Sequence, residues 1–363
     1  LYSLNGVPFC GLTPSNPPAT ENPCSGDHTG WTELSSLTET VPGCYEIKSG
    51  GKYYLSDDVR NSTNYRPTIR ITCTEDVTLC LNGKTVYHAQ SPSAQVISLS
   101  DGSTLNLCDC VGTGCIVGEK EILFAYSGAT INMYSGTLKD SVKEAVYLLD
   151  DASFNMYGGT ITGCNSRDED AAITSYSSTQ INIYGGNISD NHKYAIRTDG
   201  SIYISGDAKI TGNVEGDVYL QEGQTITVGT LTSGADIGIT TAASENDIAI
   251  TGSNTADYSR YFHSDNSSYA ITNKGNTIYL HKHTCTYSAM ENKITQTCSI
   301  CNKHTATATL TAIDAVYTGS AITNAATISY TAGTWSGDKP VLSFENNVNV
   351  GTATAKMTAG GAT

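Results

Sequence analysis

One phrase is written four times, with drift, between Asp101 and Asn213, and this repetition limits the possible folds more than any other feature. TINMYSGTL begins at Thr130, SFNMYGGTITG at Ser153, QINIYGGNISDN at Gln180 and SIYISGDAKITGN at Ser201. The equivalent residues Met133, Met156, Ile183 and Ile204 lie 23, 27 and 21 residues apart. A looser copy, STLNLCDC from Ser103, puts Leu107 at the same place, and VTLCLNG from Val77 precedes it. A unit of roughly 20 to 30 residues made of short strands and turns cannot bury its apolar face alone, so such units stack into a solenoid.

Aligning the copies gives three strands per turn. One strand carries Leu105/Leu107, Ile131/Met133, Phe154/Met156, Ile181/Ile183 and Ile202/Ile204, and the next carries Leu138, Ile161, Ile188 and Ile210. The strand leading into the phrase carries Ile97/Leu99, Leu123/Ala125, Val146/Leu148 and Ile173/Ser175. Side chains alternate at period 2, so all of these can point inward while coils stack at about 4.8 Å as parallel sheets. The expectation is an all-β chain: a right-handed parallel β-helix of three strands per coil, pectate-lyase-like in architecture, with a small C-terminal β-sandwich. Glycines and asparagines such as Gly158-Gly159, Gly185-Gly186, Gly206, Asn165 and Asn191 fall where corners need tight or left-handed backbone.

The expected layout has four parts. Residues 1–50, with CGLTPSNPPATENPC, His28, Trp31 and Cys44, form a loop-rich cap covering the open end of the stack. Residues 51–281 form the β-helix, with distorted last coils after Asn213, and residues 282–305 form a Cys/His-stapled linker hairpin. Residues 306–363 form the sandwich, read from alternating β-branched residues and regular turn signals. The chain closes on GGAT where a further strand is expected, which reads as a piece of something longer.

Composition narrows the function classes. A formal charge of −15 without a basic run argues against nucleic-acid and anionic-membrane partners. No apolar run is long enough to span a bilayer, and the opening LYSLNGVPFC reads as no signal peptide. Twelve cysteines in a β-rich chain favour an oxidising exterior or metal sites, so the expected location is outside the cell.

DVTLCLNGKTV, STLNLCDC, NMYGGTITGC, DVYLQEGQTITV, YFHSDNSSYAITNKGNTIYL and NVGTATAKMTAGGAT resemble the large repetitive surface proteins of gut clostridia, in which β-helix coils precede Ig-like modules. The resemblance covers roughly residues 50 to 363 and has few of the long glycine-rich coils of such proteins. It implies a secreted or wall-attached protein of a gut bacterium with an Ig-like C-terminal module. It supplies no catalytic residues.

Chemistry concentrates in two places. His283-x-Cys285 and Cys298-x-x-Cys301 place two donor pairs on opposite arms of a hairpin, a spacing that can close a tetrahedral structural zinc site. His304 can stand in for His283, and a disulfide from Cys285 to Cys298 or Cys301 is the rival. The cap's Cys10, Cys24, His28 and Cys44 admit a reactive cysteine or a second His/Cys metal site. Cys80 and Cys108 fall on neighbouring coils and can approach each other, or remain buried thiols as Cys73, Cys110, Cys115 and Cys164 can.

For recognition, if Ile131 and Met133 point in, then Tyr134 points out, with Tyr157 and Tyr184 above it. Tyr126, Leu149 and Tyr176 make a second outward row ending at Arg197. Stacked exposed tyrosines suit sugar rings or a protein partner, whereas the structural alternative is that they only add stacking between coils. The expected function is a monomeric, non-catalytic adhesin or recognition module binding host glycan or glycoprotein, immunoglobulin included. The alternatives are a polysaccharide lyase or hydrolase and a purely structural stalk. Catalysis would draw on Asp150-Asp151, Asp168-Glu169-Asp170, Asp190, Asp199, Arg167 or Arg197, but neither Gly-His-Gly nor Arg-x-Lys is found.

Overall fold

The structure, a computed structural model, describes residues 21–61, 65–88, 94–167, 171–176, 178–241, 248–252, 258–266, 268–274, 277–282, 284–299, 305–316, 318–333, 335 and 337–363. It is all-β, a parallel β-solenoid of about eight turns with small antiparallel sheets at the C-terminus. Among the described residues no helix is long and apolar enough to cross a membrane. The chain divides into two compact units, Leu1–Glu215 with Gly229–Ala235, and Gly216–Val228 with Asp236–Thr363.

In the first unit three parallel ladders run along the stack. The phrase ladder joins Gly51–Tyr54, Asp76–Cys80, Thr104–Cys108, Thr130–Met133, Ser153–Met156, Gln180–Ile183 and Ser201–Gly206. Thr32–Glu33 pairs parallel to Gly51–Tyr54, and Cys44–Ile47 to Ile69–Ile71, so stacking already includes strands before residue 51. Register pairs Met133 with Met156 and Ile131 with Phe154, as the repeat requires. Leu79, Leu107, Met133, Met156, Ile183 and Ile204 form one fully buried column. Leu138, Ile161, Ile188 and Ile210 form another, and Ile97, Leu123, Val146 and Ile173 a third. Burying each such side chain is worth about 1.5–3 kcal/mol, so every coil is held by like residues above and below it.

Between the two inward columns of the phrase ladder, an outward column of amides stacks in step. Asn132 Nδ2 donates to Asn106 Oδ1 at 2.9 Å, Asn155 to Asn132 at 2.8 Å and Asn182 to Asn155 at 2.8 Å. The corner after this ladder needs glycine. Gly159 and Gly186 both sit at φ +89, and a Cβ at either would lie 2.6 Å from a stacked methionine Cε, of Met133 or Met156.

In the second unit Asp236–Thr241 pairs parallel with Gly216–Leu220 and with Phe262–Ser264. Tyr269–Lys274 and Thr277–Lys282 form an antiparallel hairpin. A four-stranded antiparallel sheet of Cys285–Met290, Lys293–Cys298, Thr305–Ala312 and Ala326–Thr331 follows, then the pair Val341–Glu345 and Thr354–Thr358. Ile294, Ala306, Ala308, Trp335, Met357 and Ala359 make its buried cluster, with the Trp335 indole N–H donating to the Asp338 carbonyl at 2.9 Å.

Candidate functional site

Continuing the phrase ladder one residue past its inward column gives an outward corner column. Tyr54, Cys80 and Cys108 are register partners, and the backbone N–H of Tyr134, Tyr157 and Tyr184 bonds the carbonyl of Leu107, Met133 and Met156 in turn. The column therefore reads Tyr, Cys, Cys, Tyr, Tyr, Tyr. Residues from the cap cover its first half: Cys24 is buried against Cys80 and Cys108, with Trp31, Tyr54, Cys110 and Tyr134 packed around them.

Local structure aims these donors at one point. The Cys24–His28 segment turns back on itself, with Asn22 Oδ1 accepting the Cys24 N–H at 3.1 Å and the Trp31 N–H donating to the His28 carbonyl at 2.9 Å. Asn22 also ties the turn to the stack, donating to the Asp109 carbonyl at 3.2 Å. Asp109, buried, accepts the backbone N–H groups of Gly83, Gly112 and Gly114 at 2.7, 2.7 and 2.8 Å, which fixes the loop carrying Cys110. The His28 ring stacks on Tyr54 at 4.6 Å and 11°, and meets Trp31 edge-on at 5.0 Å.

The resulting distances are those of a metal-ligand shell. Cys24 Sγ lies 3.3 Å from His28 Nε2, Cys80 Sγ 3.6 Å from Cys110 Sγ, and Cys110 Sγ 3.9 Å from His28 Nε2. All four donor atoms lie within 4.8 Å of one another, and the group can hold a metal ion. Burial raises the Cys24 thiol; the neighbouring Cys108 thiol and then burial raise Cys80; burial and then Cys80 push Cys110 up to about 12. Without a cation these thiols stay protonated at neutral pH, because a thiolate there would sit in low dielectric beside other sulfurs.

Of the linker donors expected to hold zinc, His283 and Cys301 lie outside the described residues, as do His304 and the cap's Cys10. Cys285 and Cys298 are directly opposed in their antiparallel pair. Among the described residues the histidine that meets this pair is His281, with Nε2 3.7 Å from Cys298 Sγ; burial lowers its pKa. Cys44 lies apart from the cap cluster, with its Sγ 3.1 Å from Asn61 Nδ2.

The tyrosine rows differ in what they offer. Tyr134, Tyr157 and Tyr184 do stack, at 4.9 Å and 18° and then 4.9 Å and 5°. Their faces cover one another, they are half-buried, and the Tyr157 hydroxyl is buried without a partner, so this row presents ring edges rather than faces. Burial raises all three phenols. On the ladder that leads into the phrase, Tyr126 and Tyr176 are 42% and 47% exposed. Here the register separates what the spacing merged: Arg197 pairs with Thr174, in the column of Phe124 and Tyr147, not in the row of Tyr126, Leu149 and Tyr176. Phe124 stacks on Tyr147 at 5.1 Å and meets Tyr126 at 4.8 Å, while Tyr147 meets Tyr176 edge-on at 5.8 Å. Phe124 and Tyr147 were not singled out by the phrase. Their outward alternation with Leu123, Ala125, Val146 and Leu148 is the signal that finds them.

The carboxylates considered for catalysis occupy turns. Asp150, Asp151, Asp190 and Asp199 are exposed, Asp151 and Asp190 at φ 60 and 56, and Arg167 is exposed; Asp168, Glu169 and Asp170 lie outside the described residues. A charged cluster that the repeat does not reveal stands in the second unit. His263 Nδ1 lies 3.1 Å from Asp236 Oδ1, and its Nε2 3.7 Å from both Asp217 Oδ2 and Asp265 Oδ1. Hydrogen bonding to Asp217 and the other carboxylates raise the His263 pKa, and burial raises that of Asp265. Gly238 lets these carboxylates converge, since a Cβ there would strike both Asp217 and Asp265. No protein-family model matches this chain, and no curated protein and no solved structure matches it.

Proposed function

We propose that this chain is a non-catalytic recognition module of a bacterial cell surface that binds host glycans or glycoproteins, immunoglobulin included. Its contact face is the aromatic patch of Phe124, Tyr126, Tyr147 and Tyr176 beside Arg197. The observation that carries the reading is the exposure of Tyr126 and Tyr176, 42% and 47%, at the margin of a regular parallel sheet. A β-solenoid sheet is stiff, so aromatic rings on it bind with little loss of rotamer freedom, and an amphipathic ring is the side chain best suited to the apolar face of a sugar. The resemblance to repetitive clostridial surface proteins supplies the setting, and the Cys285–Cys298 hairpin, whose second strand pairs on with Thr305–Ala312, serves with its neighbouring donors as a staple at the edge of an Ig-like spacer, closed by zinc or a disulfide.

The test is a screen of the purified chain on a glycan array and on mucosal glycoproteins, repeated with Tyr126→Ser/Tyr176→Ser and with Tyr134→Ser/Tyr184→Ser. The reading expects binding that the first pair abolishes and the second leaves in place. Unchanged affinity in the first pair with an intact far-ultraviolet spectrum rejects this face as the site. Breakdown of a polysaccharide by the wild-type chain would replace recognition with catalysis.

A further inference from the structure

We infer that Cys24, His28, Cys80 and Cys110 bind one zinc ion, which clasps the N-terminal segment onto the first coils of the stack. Zn–S bonds of about 2.3 Å and Zn–N bonds of about 2.0–2.1 Å at tetrahedral angles place sulfurs about 3.8 Å apart and sulfur about 3.6 Å from nitrogen. The observed edges, 3.6 Å for Cys80–Cys110, 3.3 Å for Cys24–His28 and 3.9 Å for Cys110–His28, each lie close to those values. Three sulfurs and one imidazole nitrogen form a closed donor set that suits zinc and leaves no position for substrate.

Independent of these distances, one backbone donor is aimed at a ligand sulfur. The N–H of Gly26, two residues after Cys24, points at its Sγ at 3.5 Å, and Gly26 reaches this geometry at φ +94. A donor aimed at sulfur favours its charged form. On binding, the three thiols release their protons to solvent and the imidazole coordinates through Nε2, with no change of oxidation state. Two ligands come from the cap and two from neighbouring coils, 30 residues apart at Cys80 and Cys110. The metal thereby ties the N-terminal segment to two successive coils at one point.

The alternative use of these sulfurs is a disulfide, Cys80 with Cys110, whose bond length of about 2.05 Å requires the two atoms to close from 3.6 Å. One experiment separates the two. The chain is prepared reduced and metal-free, its thiols are counted, and Co²⁺ is titrated in, followed by Zn²⁺. The inference expects a Co²⁺ spectrum with the intense visible bands of a tetrahedral ion and a thiolate charge-transfer band. That spectrum saturates at the stoichiometry of this site and is bleached by zinc. Cys24→Ser and Cys110→Ser weaken or abolish it, while Cys115→Ser, a thiol remote from the cluster, leaves it unchanged. Because Cys285 and Cys298 can contribute a signal of their own, the comparison is also made in a Cys285→Ser/Cys298→Ser background. Proteolysis of the zinc-loaded and chelated wild-type chain gives a second readout, with faster cleavage in residues 21–50 expected after chelation. A fully reduced chain that gives no tetrahedral cobalt spectrum in that background overturns the inference. So does a natively prepared, zinc-free chain in which Cys80 and Cys110 are disulfide-linked.

Discussion

Asn155 shows how a polar side chain stabilises the outside of a coil. It donates to Asn132 and accepts from Asn182, and Asn132 in turn donates to Asn106, so four amides in a row fix one another. Asn155→Ala removes both bonds and leaves half-satisfied amides at the two ends. The expected cost is about 1–3 kcal/mol, read as a lower urea midpoint at unchanged slope. Gly159 is constrained from the opposite direction. Its φ of +89 disfavours any side chain, and a Cβ would also lie 2.7 Å from the Gly136 carbonyl oxygen. Gly159→Ala should cost at least about 1–3 kcal/mol in the same assay, and a neutral result would mean the corner rearranges freely.

At the scale of elements, the strand that carries His263 sets a pH dependence. The folded-state pKa of His263 is raised above 6.5, chiefly by the bond to Asp217 and by Asp236 and Asp265. Its stabilising contribution is therefore complete below pH 6.5 and is lost as pH rises through the raised value. Asp265, whose pKa is also raised, adds in the same direction, because its buried charge is relieved by protonation as pH falls. Thermal melts should show the second unit less stable at pH 8.5 than at pH 6. His263→Gln should reduce that difference, and an identical difference in the variant would remove His263 as its cause. The phrase ladder behaves differently, since from Val77 onward its inward columns carry only apolar side chains.

For the molecule as a whole, the governing rule is that each coil of the first unit contacts its neighbours and little else. Ser153 to Thr179 is one such period, and Ser153 and Gln180 bond Ala129 and Ala152 through equivalent backbone positions. Deleting residues 153–179 therefore brings Gln180–Ile183 onto Thr130–Met133 with inward residues still facing inward. The expected outcome is a folded, less stable chain with an unchanged β spectrum, and a chain that fails to fold would show coupling beyond nearest neighbours. Phe154→Ala, which leaves the register intact but empties a buried ring's volume, should cost about 3–5 kcal/mol.

What could be read from the chain alone was whatever repeats. Met133 over Met156, Leu138 over Ile161 and the parallel stacking follow from spacing, because a period-2 pattern recurring every coil has one low-energy way to bury itself. The same regularity placed Tyr134, Tyr157 and Tyr184 in a column, but spacing carries no information about what lies against them. Half-burial of that row and exposure of Tyr126 and Tyr176 were decided by the tertiary structure. So was the Cys24, His28, Cys80 and Cys110 group. Its members come from a non-repeating cap and two coils, up to 86 positions apart in the chain, and side chains so separated meet only because the stack brings their coils together. The cluster around His263 has the same origin: Asp217 and Asp236 sit on two strands and Asp265 just past the strand of His263, in coils whose spacing had already lost its period.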